Sequence, residues 1–177
     1  TEFGGKEKVL CFSSAVLLKN LFIELNQNAK DKGYEITLEA THHGPYIEKP
    51  AVFVEIGSTE KEWNEKENGE IIAKTIMNGL NNQNKNYESC ILVGGGHYNQ
   101  AANKIMIRTN YAVGHICPKY ALEYLDGEML VQVINKTIPK SNSVLLDWKG
   151  LGQEKQRIVE LLKNANLEFM RTYQILK

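Results

Sequence analysis

Residues Ser89–Cys117 read SCILVGGGHYNQAANKIMIRTNYAVGHIC, and this stretch decides the fold. Ser89–Val93 is a short apolar run closed by three glycines, as expected of a buried strand and its exit turn. Asn99–Arg108 is predicted to be helical, and Tyr111–Cys117 is a second apolar strand. A helix between two buried strands is the unit of a parallel sheet.

The same alternation continues outward in both directions. Upstream, Lys8–Ser13 (KVLCFS) reads as a strand. Ser13 or Ser14 then caps a helix whose apolar positions Val16, Leu17, Leu21, Phe22 and Leu25 follow the helical period and end near Gly33. Tyr34–Ala40 alternates apolar and polar residues like a half-buried strand, Gly44-Pro45 is a turn, and Ala51–Ile56 is a further strand. Asn64 and Glu67 have capping-box spacing ahead of a helix through Ile71, Ile72, Ile76 and Leu80, and residues 81–86 form a polar loop. Downstream, the expected order is a helix at Gly127–Ile138, a strand at Ser143–Asp147, a helix at Gln153–Ala165 and a strand at Leu167–Leu176. The fold class is therefore α/β, three layers α/β/α around a largely parallel or mixed sheet, in one domain spanning residues 1–177.

Composition narrows the function classes. With 42% hydrophobic and 24% charged residues, the chain resembles an ordinary soluble globular protein. No apolar run approaches the ~20 residues of a membrane helix. Cys11, Cys90 and Cys117 are odd in number and in no CxxC spacing, so reduced thiols in an intracellular protein are expected. The 21 basic and 21 acidic residues cancel, which argues against a broad nucleic-acid-coating surface but allows a local basic rim. The first residue is Thr1 rather than Met, and a segment upstream of it is expected.

The reactive side chains concentrate in Glu39–Trp63, EATHHGPYIEKPAVFVEIGSTEKEW. The chain has four histidines, and each lies on a strand-like segment or its exit. His42 and His43 precede the Gly-Pro turn, where both can face one site; on a regular strand they would point to opposite faces. A neutral imidazole serves as metal ligand or general base, against the blander role of capping the turn. Glu55, inside VFVEIG, is expected to be mostly buried and so to need a partner. That partner is a metal, a proton, a backbone amide or a lysine such as Lys119 or Lys149.

Gly94, Gly95 and Gly96 allow close backbone approach to a phosphate or carboxylate, but match neither the P-loop nor the dinucleotide fingerprint. They are equally consistent with a tight strand exit. His97 follows them directly. His115 on its apolar strand is either a satisfied core histidine or a site residue. In an open α/β sheet, groups at the strand carboxyl ends converge on one crevice. His42, His43, Glu55, His97, His115 and Asp147 are expected there if their strands are parallel.

THHGPYIEKPAVFVEIGSTEKEW, GGGHY, VGHICPKYAL and LDWKGL, with the opening EFGGK, together resemble the archaeal and plant family of zinc-dependent D-aminoacyl-tRNA deacylases. The four motifs occur in order over nearly the whole chain. The resemblance implies a phosphorylase- or hydrolase-like α/β fold and a cytoplasmic enzyme, a monomer or small homo-oligomer. That enzyme hydrolyses the ester between a D-amino acid and the 3′ end of tRNA, with zinc as cofactor. The family's chains carry a segment ahead of EFGGK that this chain lacks. They also more often place a Pro and a Phe-Thr where NQAANKIMI follows GGGHY here.

On this reading His42, His43, His97 and Glu55 are the expected zinc ligands, and Glu55, His43, His97 and His115 the expected catalytic groups. Gly94, Gly95 and Gly96 would serve the oxyanion or terminal phosphate. Lys49, Lys119 and Lys149 would contact acceptor-stem phosphates, with bases stacking on Tyr46 or Tyr98. The rival expectations are another hydrolase or phosphorylase of the same fold acting on a small substrate, and a degenerate, non-catalytic tRNA-binding module.

Overall fold

The computed structural model describes residues 2–41, 43–57, 59–82 and 86–177. Its centre is a four-stranded parallel sheet in the order β3-β2-β5-β6, formed by β2 (Glu88–Val93), β3 (Tyr111–Cys117), β5 (Ser143–Leu146) and β6 (Glu168–Arg171). A second parallel pair joins β1 (Ser13–Ser14) to β4 (Thr137–Ile138). Helices lie on both sides. The period-two alternation of the strands assigns the residues: Ile91, Val93, Val144 and Leu146 pack with Leu130, Ile158 and Leu162. Cys90, Leu92, Val113 and Leu145 pack with Phe22, Ala102, Ile105 and Met106 on the other face. The first cluster draws on α5 (Gly127–Lys136) and α6 (Lys155–Asn164), the second on α1 (Ala15–Asn28) and α4 (Gln100–Arg108).

Local chemistry starts the helices where the sequence indicates. The Ser14 hydroxyl accepts from the Leu17 amide at 3.4 Å, and the Asn99 side chain accepts from Ala102 at 3.0 Å. Asp126 accepts from Met129 at 2.8 Å. Lys19 on α1 is buried, and its ammonium donates to the carbonyls of Thr109 and Tyr111 at 2.6 and 2.7 Å, clamping α1 to the α4–β3 turn.

Several boundaries differ from expectation. Among the described residues, 8–12, 34–38 and 51–57 run without a strand partner, and an isolated bridge pairs Glu39 with Tyr98. Tyr34–Ala40 alternates because Ile36 and Leu38 pack against the α1/α4 cluster, and burial on one face needs no neighbouring strand. The capping box sits five residues earlier than expected: the Glu62 carboxylate accepts from the Thr59 amide at 3.1 Å and opens α2 (Glu60–Asn64). Asn64 therefore ends α2, and Glu65 precedes α3 (Lys66–Asn81). The helix expected to reach Ile138 stops at Lys136, where Thr137 joins β4. The last strand ends at Arg171, followed by α7 (Thr172–Ile175). No described helix is long and apolar enough to cross a membrane.

Candidate active site

The site is built outward from the exit of β2. Gly94 and Gly95 turn the chain with φ of 103° and 86°. A Cβ on Gly95 would lie 2.4 Å from Asn99 Nδ2, and one on Gly150 would lie 2.2 Å from Gly95 N, so two exit loops cross in backbone contact. The Gly94 amide donates to Cys117 O at 2.8 Å, and Asn99 Nδ2 donates to Gly94 O at 2.9 Å. The Gly94 amide is thereby committed to the fold instead of turned to a ligand. The loop's work is to bring the exits of β2, β3 and β5 together. The Lys119 amide donates to Gly95 O at 2.8 Å, and the Asp147 amide to Val93 O at 2.9 Å.

His97 leaves this loop between two oxygen groups. Its Nε2 is 3.1 Å from Glu39 Oε1, and its Nδ1 is 3.2 Å from the Tyr120 hydroxyl. A carboxylate only accepts, so the neutral ring holds its proton on Nε2 and accepts the Tyr120 O–H at Nδ1. Burial, with the charge of Glu39 next, raises the Tyr120 phenol above its ordinary value and keeps it a donor at neutral pH. Tyr98 packs edge-on to the imidazole at 4.8 Å. The backbone holds the arrangement too: the Ala40 amide donates to His97 O at 2.9 Å, and the Asn99 amide to Leu38 O at 3.0 Å. Tyr120 and the role of Glu39 are absent from the sequence reading. Both pairs depend on tertiary approach, and Tyr120 is separated from His97 by 23 residues.

Glu39, Tyr98 and Tyr120 line a cavity of about 780 Å³, to which residues 40–41, 43–47, 51–55 and 57 also contribute. His43 and Glu55 line the same cavity. The His43 Nδ1–H donates to Gly44 O at 2.7 Å. Its ring stands edge-on to Phe3 and Phe53, at 5.7 and 5.5 Å. Glu55, expected to be buried, is exposed, because 51–57 is cavity wall with no second layer of sheet above it. A Cβ on Gly44 would lie 2.2 Å from Gly5 N, so the turn after His43 rests directly on the N-terminal backbone. His42 lies outside the described residues.

His115 also reaches the cavity, but both its ring nitrogens are engaged: Nδ1 with Thr137 Oγ1 at 2.9 Å, and Nε2 with Cys11 O at 3.2 Å. Burial lowers its pKa and keeps it neutral. Cys117 lines the cavity as well, where burial pushes its thiol up to about 11, so it is no thiolate at neutral pH. The three cysteines are free, as expected. Lys119 and Lys149 are exposed beside the crossed exit loops, while Lys49 is exposed between the cavity-wall residues Ile47 and Ala51.

The expected zinc donors are only partly assembled. His43 and His97 both have partners through their ring nitrogens, His43 with Gly44 O and His97 with Glu39 and Tyr120. Among the described residues no three His, Cys, Asp or Glu side chains come together as a metal-binding group. The described donors therefore do not by themselves make a zinc site.

Comparisons with known proteins bear on the family and the fold. The family model for D-aminoacyl-tRNA deacylase matches residues 1–170. A D-aminoacyl-tRNA deacylase of Thermococcus kodakarensis is 37% identical over 172 residues, covering 96% of this chain and 62% of the relative. That of Staphylothermus marinus is 39% identical over 163 residues, covering 89% and 59%. A crystal structure of a conserved protein of unknown function superposes with a TM-score of 0.90 at 31% identity, covering 99% of this chain and 63% of that one. The chain thus spans about three fifths of the length of the relatives it matches. Over that span the motifs, the parallel α/β sheet and the family match coincide, and the chain belongs to the D-aminoacyl-tRNA deacylase family.

Proposed function

We propose that this chain hydrolyses the ester joining a D-amino acid to the 3′ end of tRNA. One observation carries the chemistry: His97 is held between the Glu39 carboxylate and the Tyr120 hydroxyl, and both of these partners line a cavity large enough for an aminoacyl end. Glu39 fixes the tautomer and favours the imidazolium that forms, so Nδ1 is the basic atom. A water attacks the ester carbonyl carbon while the Tyr120 hydroxyl passes its proton to His97 Nδ1 and takes up the proton of the water. The tetrahedral intermediate then collapses with cleavage of the bond to the ribose 3′-oxygen, and His97 returns the proton to that oxygen. A tRNA substrate also accounts for the cytoplasmic location expected of the protein.

Zinc belongs to this reading as a proposal, with His43 and Glu55, which line the cavity, as candidate donors together with His42; His97 is already committed to Glu39 and Tyr120. When bound it would lower the pKa of a coordinated water from 15.7 to about 7. No step above depends on it. Metal analysis of the purified chain tests it: near-stoichiometric zinc is expected, and a metal-free chain that still deacylates would remove zinc from the reading.

The decisive experiment for the function measures release of D-amino acid from charged tRNA by wild type and His97→Asn. A loss of about 10²–10⁴ in rate with retained fold is expected. A folded variant as fast as wild type would overturn the assignment of His97, and an inactive wild type would overturn the function of this chain.

A further inference from the structure

A second feature of the cavity lies away from His97. Tyr46 follows the Gly44-Pro45 turn, and its backbone is pinned: its amide donates to Gly4 O at 3.0 Å, and the next amide, Ile47, donates to Cys11 Sγ at 3.3 Å. Two ammonium groups converge on the Tyr46 ring. Lys6 Nζ is 4.2 Å from its centroid, and Lys136 Nζ is 5.4 Å from it. Lys136 is itself fixed, donating to Leu10 O at 2.6 Å and lying 5.6 Å from the Phe12 centroid. Lys6 and Tyr46 line the cavity. The ion pairs among the described residues join other side chains, and neither lysine takes part in one.

This arrangement is costly without an anion. Two like charges share one ring with no carboxylate bound to either, at the edge of a cavity in a chain of zero net charge. The ring's negative face offsets part of the repulsion and holds the ammonium groups in place. An incoming anion offsets the rest. Its preferred form is a phosphodiester strand, whose neighbouring phosphates can each take one ammonium group.

We propose that Lys6, Tyr46 and Lys136 form a phosphate subsite that holds the backbone of a single-stranded nucleic acid end as it enters the cavity. The source of that phosphate, the 3′ strand of tRNA, rests on the deacylase reading above; the affinity of the subsite for phosphate does not. It is distinct from the rim of Lys119 and Lys149, and it gives Tyr46 a cation-holding role in place of the base stacking expected from the sequence.

The test uses uncharged tRNA and, separately, inorganic phosphate, titrated into the whole chain at several salt concentrations. Lys6→Gln changes an exposed side chain. It is expected to weaken tRNA binding severalfold and to lower the slope of log K against log salt by about 0.7–0.9. Lys163→Gln, near the end of α6 on the amino-terminal side of the sheet, removes the same charge and is expected to leave the slope unchanged. Wild type and Lys6→Gln binding both tRNA and inorganic phosphate alike would overturn the subsite. A variant that loses inorganic phosphate while keeping tRNA would make it a free-phosphate site and overturn the strand assignment. A wild-type chain without affinity for tRNA would instead remove the deacylase reading, a result separate from the subsite's own failure.

Discussion

At the scale of single residues, Glu39 matters through His97. Replacing it by Gln keeps shape but lets the amide donate to or accept from Nε2, so the tautomer is no longer fixed. Glu39→Gln is expected to lower kcat about 10²-fold with KM little changed, read from deacylation kinetics against an unaltered melting temperature. Glu55 is exposed, so Glu55→Gln should shift stability by no more than about 0.5 kcal/mol. If it is a zinc donor, the same change lowers the metal content of the purified chain; unchanged zinc would release it from that role. His115 gives a pH signature of its own. Burial holds its folded pKa below the ordinary 6.5, the Cys11 carbonyl opposes this, and the Lys136 charge reinforces it. Between the folded value and 6.5 the unfolded chain binds a proton that the fold does not. That contribution to stability is complete above pH 6.5 and is lost as pH falls through the window. Urea midpoints measured from pH 7 to pH 5 should decline in wild type and decline less in His115→Gln.

At the scale of elements, β2, β3, β5 and α4 lie close to where the sequence places them. Each is a compact apolar or helically periodic segment whose register is set by burial on both faces or by its own cap, as with Asn99. Tyr34–Ala40 and Ala51–Ile56 were misleading for one reason: apolar patterning reports which side is buried but not whether a strand lies alongside. The site was legible in part. His43, Glu55 and His115 share the cavity as the scarce reactive residues suggested, and His97 is bonded to two of its wall residues. The partners that orient His97 were not legible, since Glu39 and Tyr120 approach it only in the folded chain. Element docking can be tested at Lys19. Lys19→Met leaves the Thr109 and Tyr111 carbonyls without the ammonium donor and is expected to cost about 1–3 kcal/mol in urea unfolding. An undiminished midpoint would show that the clamp contributes nothing net.

At the scale of the whole molecule, the cavity has two unlike walls. One includes the edge strand β3 of the parallel sheet and the residues that follow it, Pro118 and Tyr120. The other, residues 43–57, is stitched to the N-terminal backbone by the Gly44 amide to Glu2 O at 3.0 Å, Tyr46 to Gly4 O at 3.0 Å and Ala51 to Phe12 O at 3.0 Å. Its anchors are thus single hydrogen bonds spaced along the chain, whereas β2 is bonded on both sides by β3 and β5. Such a wall can part from residues 2–12 without disturbing the sheet, so opening of the cavity and unfolding of the protein are separate events with separate free energies. In deuterated solvent the amides of Gly44, Tyr46 and Ala51 should therefore exchange together and early, well ahead of Ile91 and Leu92, whose protons wait for the global transition.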